Sequence, residues 1–414
     1  MSKARGILLI SDGLGDRPIA DLNGLTPLEY ANTPTMDLLC KEGATGLVHP
    51  YKPGCRVGTD WGHICLFGYN PDDYYTGRGA VEAFSAGLDM KKGDVAFRGN
   101  LGTVDNELFV LDRRAGRIND KDEIESLISS VDGYEVDGCK FKVLSLTEHR
   151  VAVVMSGNDL YWNIADTDPG TACEGSKIIC PIKEDNIQRS AKALWKFQLY
   201  VKEIWDNHPV NKSRKERGQL PANFIITRGS AAAMELPSIE SIFPKVKVSV
   251  IAGDETITGI GKMCNFDYVV DESFTGGFET NYMGKAEKAI EELKNHDLVI
   301  VHIKGTDLCG HDNKPLLKAE IIQKIDEMYK YWMSKIDKDN TYLALVSDHS
   351  TPCHVRDHSS DPVPAFLWGP NVRVDECIKC GERDVAKGIL NGYTGSQFMS
   401  TIMDYLGHTK KYGA

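Results

Sequence analysis

Three apolar runs that each end in an aspartate constrain this chain more than any other feature. Gly6-Ile-Leu-Leu-Ile10 runs into Ser11-Asp12-Gly13. Asp297-Leu-Val-Ile-Val-His-Ile303 leads to Asp307 and, four residues on, to His311. Thr341-Tyr-Leu-Ala-Leu-Val346 leads to Asp348-His349, with His358 nine residues later. Short, continuous runs rich in Val and Ile are typical of strands buried on both faces of a parallel sheet. Asn223-Phe-Ile-Ile-Thr227, Val246-Lys-Val-Ser-Val-Ile251 and Pro364-Ala-Phe-Leu-Trp368 read as further strands of the same sheet. Helical patterns lie between them, at Lys285 to His296 and at Lys318 to Ile336. In the second, Ile321, Ile322, Ile325, Met328, Tyr329, Trp332 and Ile336 form one apolar face, read as core packing. Alternating strands and helices predict an α/β sheet covered on both faces.

With 414 residues the chain exceeds one ordinary domain. From Gly93 to Ile182 the pattern changes. Turn signals such as Asp105-Asn106, Asp132-Gly133 and Asp137-Gly138 separate short strand-like segments and one helix near Lys121 to Ser130. A smaller α+β domain over 93–182 is therefore expected inside a discontinuous main domain of 1–92 and 183–414. A long helix from about Asn186 to Asn207 would bring the chain back to the main sheet.

The net charge of −11 argues against nucleic acid and anionic membranes as partners. No apolar stretch approaches the ~20 residues of a spanning helix, and the run after Met1 stops too early for a signal peptide. The eleven scattered cysteines read as reduced, mostly buried thiols of a cytoplasmic protein. Cys377 and Cys380 form the one CxxC, with no second CxxC or paired histidine near it in the sequence to complete a zinc site.

In a parallel sheet all the strand ends lie along one edge, so three aspartates and three histidines would converge there. Crowded carboxylates in a partly dry cleft each cost several kcal/mol unless compensated. Divalent cations compensate them, and this donor set suits Mn, Zn, Mg or Co, with ligands enough for two ions. The nucleophile expected beside them is Thr59, in Gly54-Cys-Arg-Val-Gly58-Thr59-Asp60-Trp-Gly62-His63. Residues Thr59 to Phe67 read as a helix whose first N–H groups would hold a phosphate. A metal on the hydroxyl would lower its pKa.

Asp12-Gly13, Gly58-Thr59-Asp60, Asp307-x-x-x-His311, Asp348-His349-Ser-Thr-Pro and His358 resemble the alkaline phosphatase superfamily. More closely, the chain resembles the archaeal-type, 2,3-bisphosphoglycerate-independent phosphoglycerate mutases nearly end to end. Leu14-Gly-Asp-Arg-Pro18, Leu66-Phe-Gly-Tyr-Asn-Pro71, Gly93-Asp-Val-Ala-Phe-Arg98, Asp112-Arg-Arg-Ala-Gly-Arg117 and His208-Pro-Val-Asn211 belong to the match. The resemblance implies an alkaline-phosphatase-like α/β domain, its sheet sandwiched by helices, interrupted by a smaller transferase domain. It implies one metal held by Asp12, Thr59, Asp348 and His349 and another by Asp307, His311 and His358, with no bisphosphoglycerate. The family nucleophile is usually Ser where Thr59 stands, and Asp166-x-Asp168-Pro is usually followed by His where Gly170 stands.

Arg113, Arg114 and Arg117, with Arg98 and Arg150 on neighbouring segments, read as an anion pocket for a phosphate and a carboxylate. Lys262, Arg228 and Arg78 are candidates to reach the transferred phosphoryl, and Asp105 or Asp112 to shuttle protons. The activity implied is interconversion of 3-phosphoglycerate and 2-phosphoglycerate through a phosphothreonine. The alternatives are a metal-dependent phosphohydrolase or phosphodiesterase on the same scaffold, and a silent homologue that only binds metal or a phosphometabolite.

Overall fold

The computed structural model describes residues 3–88, 90–170, 174–181 and 188–413. In chain order the strands begin with β1 (Arg5–Ser11) and β2 (Ala44–Val48). Then come β3 (Val95–Val104), β4 (Val110–Asp112), β5 (Glu135–Val136), β6 (Cys139–Ser145), β7 (Arg150–Gly157) and β8 (Phe224–Ala232). The last five are β9 (Val248–Ile251), β10 (Asp267–Val269), β11 (Leu298–Ile303), β12 (Thr341–Val346) and β13 (Val363–Trp368).

They form two sheets in two compact units. The first unit comprises Met1–Asp73 and Leu236–Ala414 and holds a seven-stranded sheet in the order β10-β9-β11-β1-β12-β13-β2. β1 lies between β11 and β12 and is parallel to both, with Ile10 level with His302 on one side and Val346 on the other. The three aspartate-bearing ends therefore leave the sheet at one edge. β13 corrects the expectation of a further parallel strand, since it runs antiparallel to β12 and β2. An apolar run records burial on both faces but not direction, which the connecting segment sets.

Ile7 and Leu9 of β1, Val299 and Val301 of β11 and Leu343 and Leu345 of β12 pack with Tyr329 and Trp332 in one apolar cluster. These last two lie on the helix Pro315–Lys335, which starts with proline at its first turn as helices favour. Alternate β1 residues Leu8 and Ile10 are equally buried, so the sheet is covered on both faces.

The second unit runs from Tyr74 to Glu235, wider than 93–182. The segment Asn223–Thr227 does not join the main sheet; it belongs to β8, which pairs antiparallel with β3. The helix Arg78–Ser85 packs on β3 and β8. It packs so closely that a Cβ on Gly79 would sit 2.4 Å from the Ala96 carbonyl oxygen. The expected boundary at 182/183 and the helix start at Asn186 lie outside the described residues, and the helix is described over Gln188–Asp206. Its Phe197 stacks on Phe141 of β6 with centroids 4.3 Å apart, inside a core of its own. Among the described residues no helix is long and apolar enough to cross a membrane.

Candidate metal and phosphoryl-transfer site

The strand ends of the first unit meet as their sequence pattern requires. Asp12 and Asp348 are fully buried and Asp307 nearly so. Gly13 makes the approach possible. Its φ is +62°, and a Cβ there would meet Thr351 Oγ1 at 2.4 Å and Asp307 Cα at 2.8 Å. Its N–H donates to Asp348 Oδ1 at 3.2 Å. The helix Thr59–Leu66 is brought against the same edge by Gly62, whose missing side chain leaves room for the Asp348 carbonyl. Thr59, at its first residue, is 7% exposed.

His349 occupies the centre. Its Nε2 lies 3.1 Å from Asp348 Oδ2, 3.3 Å from Asp12 Oδ1 and 3.3 Å from Thr59 Oγ1. The His358 ring stacks on it at 3.5 Å, with Nε2 3.6 Å from Asp307 Oδ1. The donor atoms fall into two tight groups, Asp12 with Asp348 and His349, and Asp307 with His349 and His358. His311 reaches Asp307 Oδ1 with Nε2 at 3.4 Å from the more exposed side.

The hydrogen bonds fix which imidazole nitrogen faces the carboxylates. A carbonyl oxygen only accepts, so the Nδ1 of His311 (to Arg356 O), of His358 (to Val57 O) and of His63 (to Thr59 O) carries a proton. In His311 and His358, Nε2 remains for a cation or a second proton, the arrangement that orients histidine ligands, whereas in His63 the same Nδ1 also faces Asp348 Oδ2 at 3.4 Å. Asp12 Oδ1 and Asp348 Oδ2 are buried and make no well-aligned hydrogen bond, with only imidazole nitrogens beside them. Such anionic oxygens are costly without a cation. The residues present therefore fit divalent metal ions.

The electrostatics carry the same demand for positive charge. Burial favours neutral Asp348, but His349 and His63 outweigh it and hold the carboxyl well below its usual range. For Asp307, burial is likewise outweighed, chiefly by Lys304. Burial opposes charge on His349 and His63 in turn, yet Asp348 lifts both.

Three side chains of this site were not singled out from the sequence. Lys304 Nζ bridges Asp12 Oδ2 at 2.8 Å and Asp307 Oδ2 at 2.9 Å, and lies 3.4 Å from Thr59 Oγ1. Burial works against its charge, but Asp12 and Asp307 overcome it and keep the ammonium firmly protonated. His302, within β11, holds Asp12 Oδ2 at 3.2 Å. His63 lies against the His302 ring and 3.4 Å from Asp348 Oδ2. The signal for His302 was a polar residue inside an otherwise apolar strand, and for His63 its place four residues after Thr59 on the same helix face.

Lys262 does not join this group. It sits in the last turn of the helix Glu255–Met263, over the Tyr268 ring at 4.6 Å.

In the second unit Arg98 of β3 is level with Arg228 of β8, and its neighbour Asn100 with Arg150 of β7. Arg98 NH1 lies 3.2 Å from Glu82, which also takes Arg78 at 3.0 Å. Burial, which Glu82 only partly offsets, lowers Arg98 to about 9, with Arg78, Arg228 and Arg150 adding to the shift. Asp168 holds Arg113 through both carboxylate oxygens, and Arg228 at 3.7 Å. Arg114 contributes to a positive field that, with burial and Arg150, lowers His149 to about 4. Arg117 stays apart on an exposed turn with φ +58° and has no ion pair among the described residues. Asp105 and Asp112 are turn builders, each accepting two backbone N–H groups, while Glu82 and Asp168 are the carboxylates that face the arginines.

The family model described as 2,3-bisphosphoglycerate-independent phosphoglycerate mutase matches residues 40–211. The 2,3-bisphosphoglycerate-independent phosphoglycerate mutase 1 of Methanocaldococcus jannaschii is 43% identical, with both chains covered completely. The mutase of Pyrococcus horikoshii is 40% identical over 100% of this chain and 99% of its own. A solved Pyrococcus horikoshii structure superposes with a TM-score of 0.86 at 36% identity, covering all of both chains. The cofactor-independent phosphoglycerate mutase of Thermoplasma acidophilum gives 0.73 at 31%, over 98% of this chain and 100% of its own. With relatives this similar from end to end, the chain belongs to the 2,3-bisphosphoglycerate-independent phosphoglycerate mutases.

Proposed function

We propose that this chain interconverts 3-phosphoglycerate and 2-phosphoglycerate without bisphosphoglycerate, in the cytoplasm, with Thr59 carrying the phosphoryl group between the two hydroxyls. The observation that carries this reading is Thr59 Oγ1 beside His349 Nε2 and Lys304 Nζ, next to buried oxygens of Asp12 and Asp348 that make no well-aligned hydrogen bond. Asp12, Asp348, His349 and Thr59 would hold one divalent ion and Asp307, His358 and His311 a second. Bound there, such ions supply charge neutralisation and lower the pKa of the Thr59 hydroxyl.

The chain's own groups do the rest. Lys304, kept protonated, faces the Thr59 oxygen and favours negative charge on it. His63 and His302 fix Asp348 and Asp12, so that little reorganisation is needed as charge develops. Arg98, Arg113, Arg114, Arg150 and Arg228 of the second unit are the proposed holders of the glycerate carboxylate and phosphate, with Asp168 and Glu82 fixing their heads. The threonine in place of serine keeps a hydroxyl nucleophile and adds only a methyl group.

The test is 3-phosphoglycerate with Mn and no bisphosphoglycerate, coupled to enolase and run beside a free-phosphate assay. Formation of 2-phosphoglycerate is expected; stoichiometric phosphate and glycerate instead would identify a hydrolase. Thr59→Ala should abolish turnover while Thr59→Ser retains it, and unchanged turnover in Thr59→Ala would overturn the covalent role.

A further inference from the structure

Thr351 follows His349 by two residues, in the run Asp348-His349-Ser-Thr-Pro, and none of it is exposed. Every polar group it carries is used. Its N–H donates to the Gly15 carbonyl at 3.1 Å, and its own carbonyl accepts from Lys318 Nζ at 3.0 Å. Its hydroxyl oxygen lies 2.7 Å from Asp307 Oδ1 and 3.1 Å from His349 Nδ1. One hydroxyl is thus shared between a carboxylate of one proposed ligand set and an imidazole of the other.

The chemistry of these groups places the protons. An ionised carboxylate only accepts, so the Thr351 hydroxyl donates to Asp307. The lone pairs left on that oxygen face His349, whose Nδ1 must then carry a proton. Nε2 of the same ring is the nitrogen beside Asp12 Oδ1, Asp348 Oδ2 and Thr59 Oγ1. A proton fixed on Nδ1 keeps the Nε2 lone pair for a cation. Asp307 Oδ1, which the hydroxyl holds, is also the oxygen that His311 and His358 approach.

The position is built for this residue. A Cβ on Gly13 would fall 2.4 Å from the Thr351 hydroxyl oxygen, and one on Gly310 would fall 2.6 Å from its methyl carbon. The hydroxyl is therefore seated against one glycine and the methyl against the other, which fixes the rotamer. Lys318, on the helix Pro315–Lys335, is fully buried and pairs with Asp16 at 2.9 Å. Asp16 in turn accepts from the Cys353 N–H at 3.1 Å. This ion pair ties the turn after β1 to the turn after β12 and holds Thr351 between them. Removing either charge would strand the other in the core.

We infer that Thr351 is the positioning residue that couples the two ligand sets, one hydroxyl holding Asp307 in place and His349 in its Nδ1-protonated form. The inference rests on the two-ion reading of the site. In this role Thr351 acts only through Asp307 and His349.

The test is isothermal titration of the full chain with Mn, comparing wild type with Thr351→Val and Thr351→Ser. Valine keeps the shape of threonine and lacks the hydroxyl. Thr351→Val should weaken Mn binding by roughly 10–100-fold, while Thr351→Ser stays within about threefold of wild type. Turnover of Thr351→Val should recover as Mn is raised, with KM for 3-phosphoglycerate unchanged. If wild type binds Mn and Thr351→Val binds it equally well, the role of Thr351 is overturned and the two-ion reading stands. If wild type binds no Mn, both are overturned together. A serine variant as weak as the valine variant would assign the effect to packing and overturn the role of the hydroxyl. Nitrogen-15 NMR of histidine-labelled wild type loaded with Zn decides the matter even where the variants fail to fold. The His349 ring, assigned by the signal missing in His349→Gln, should be protonated at Nδ1; a proton on Nε2 would overturn the inference.

Discussion

The residues of the site divide by how they can be recognised. Asp12, Asp348 and His349 stand directly after apolar runs and Asp307 four residues past the end of one, and their role follows from where strands end. Lys304 carries no such mark, because only the folded edge shows an ammonium between two carboxylates and a hydroxyl. Lys304→Met should lower kcat by about 10²–10³-fold with little change in KM, as loss of an oxyanion partner does. A kcat within threefold of wild type would reduce Lys304 to a structural role. His302→Gln should weaken Mn binding by roughly 10–100-fold, the usual cost of losing a group that orients a ligand. Isothermal titration with Mn, with circular dichroism as the folding control, measures it. Lys262, chosen as a cation beyond a strand end, stands in the last turn of its helix over the Tyr268 ring.

Among elements, the helices were the more legible. Lys318 to Ile336 appears as Pro315–Lys335 and Lys121 to Ser130 as Lys121–Ser129, since a 3.6-residue period belongs to the element itself. Strand partners are not encoded this way, and so β8 and β13 were misassigned while β1, β11 and β12 were correct. The short helix Glu382–Val385 shows a pH consequence of such packing. Glu382 accepts from the Asp16 N–H and the Thr26 hydroxyl, and burial raises its carboxyl to about 7. An acid raised on folding binds its proton more tightly in the native state, so stability falls as pH rises from the unfolded value of 4.5 through 7. Glu382→Gln should therefore gain melting temperature relative to wild type at pH 8 compared with pH 5. An equal difference at both pH values, by calorimetry, would contradict this.

At the scale of the whole molecule, the metal ions proposed for the first unit should be part of its stability. Buried carboxylate oxygens that make no well-aligned hydrogen bond favour the bound state over the unfolded chain, which has no assembled site. Free Mn at a hundred times its Kd contributes about 2.7 kcal/mol, or roughly 5–10 °C in melting temperature for a unit of this size. Scanning calorimetry in Mn and in EDTA should show that difference in wild type and its loss in Asp348→Asn. What the sequence determined unaided was local: which runs are buried on both faces, where they stop, and which acids and imidazoles follow. Burial and periodicity are properties of neighbouring residues, so a single chain records them. Only the tertiary structure decided that β8 serves the second sheet, that the second unit begins near Tyr74, and that Lys304 lies between two aspartates. Each of these is a pairing of segments far apart along the chain, settled by the packing of whole faces against one another and written in no local pattern.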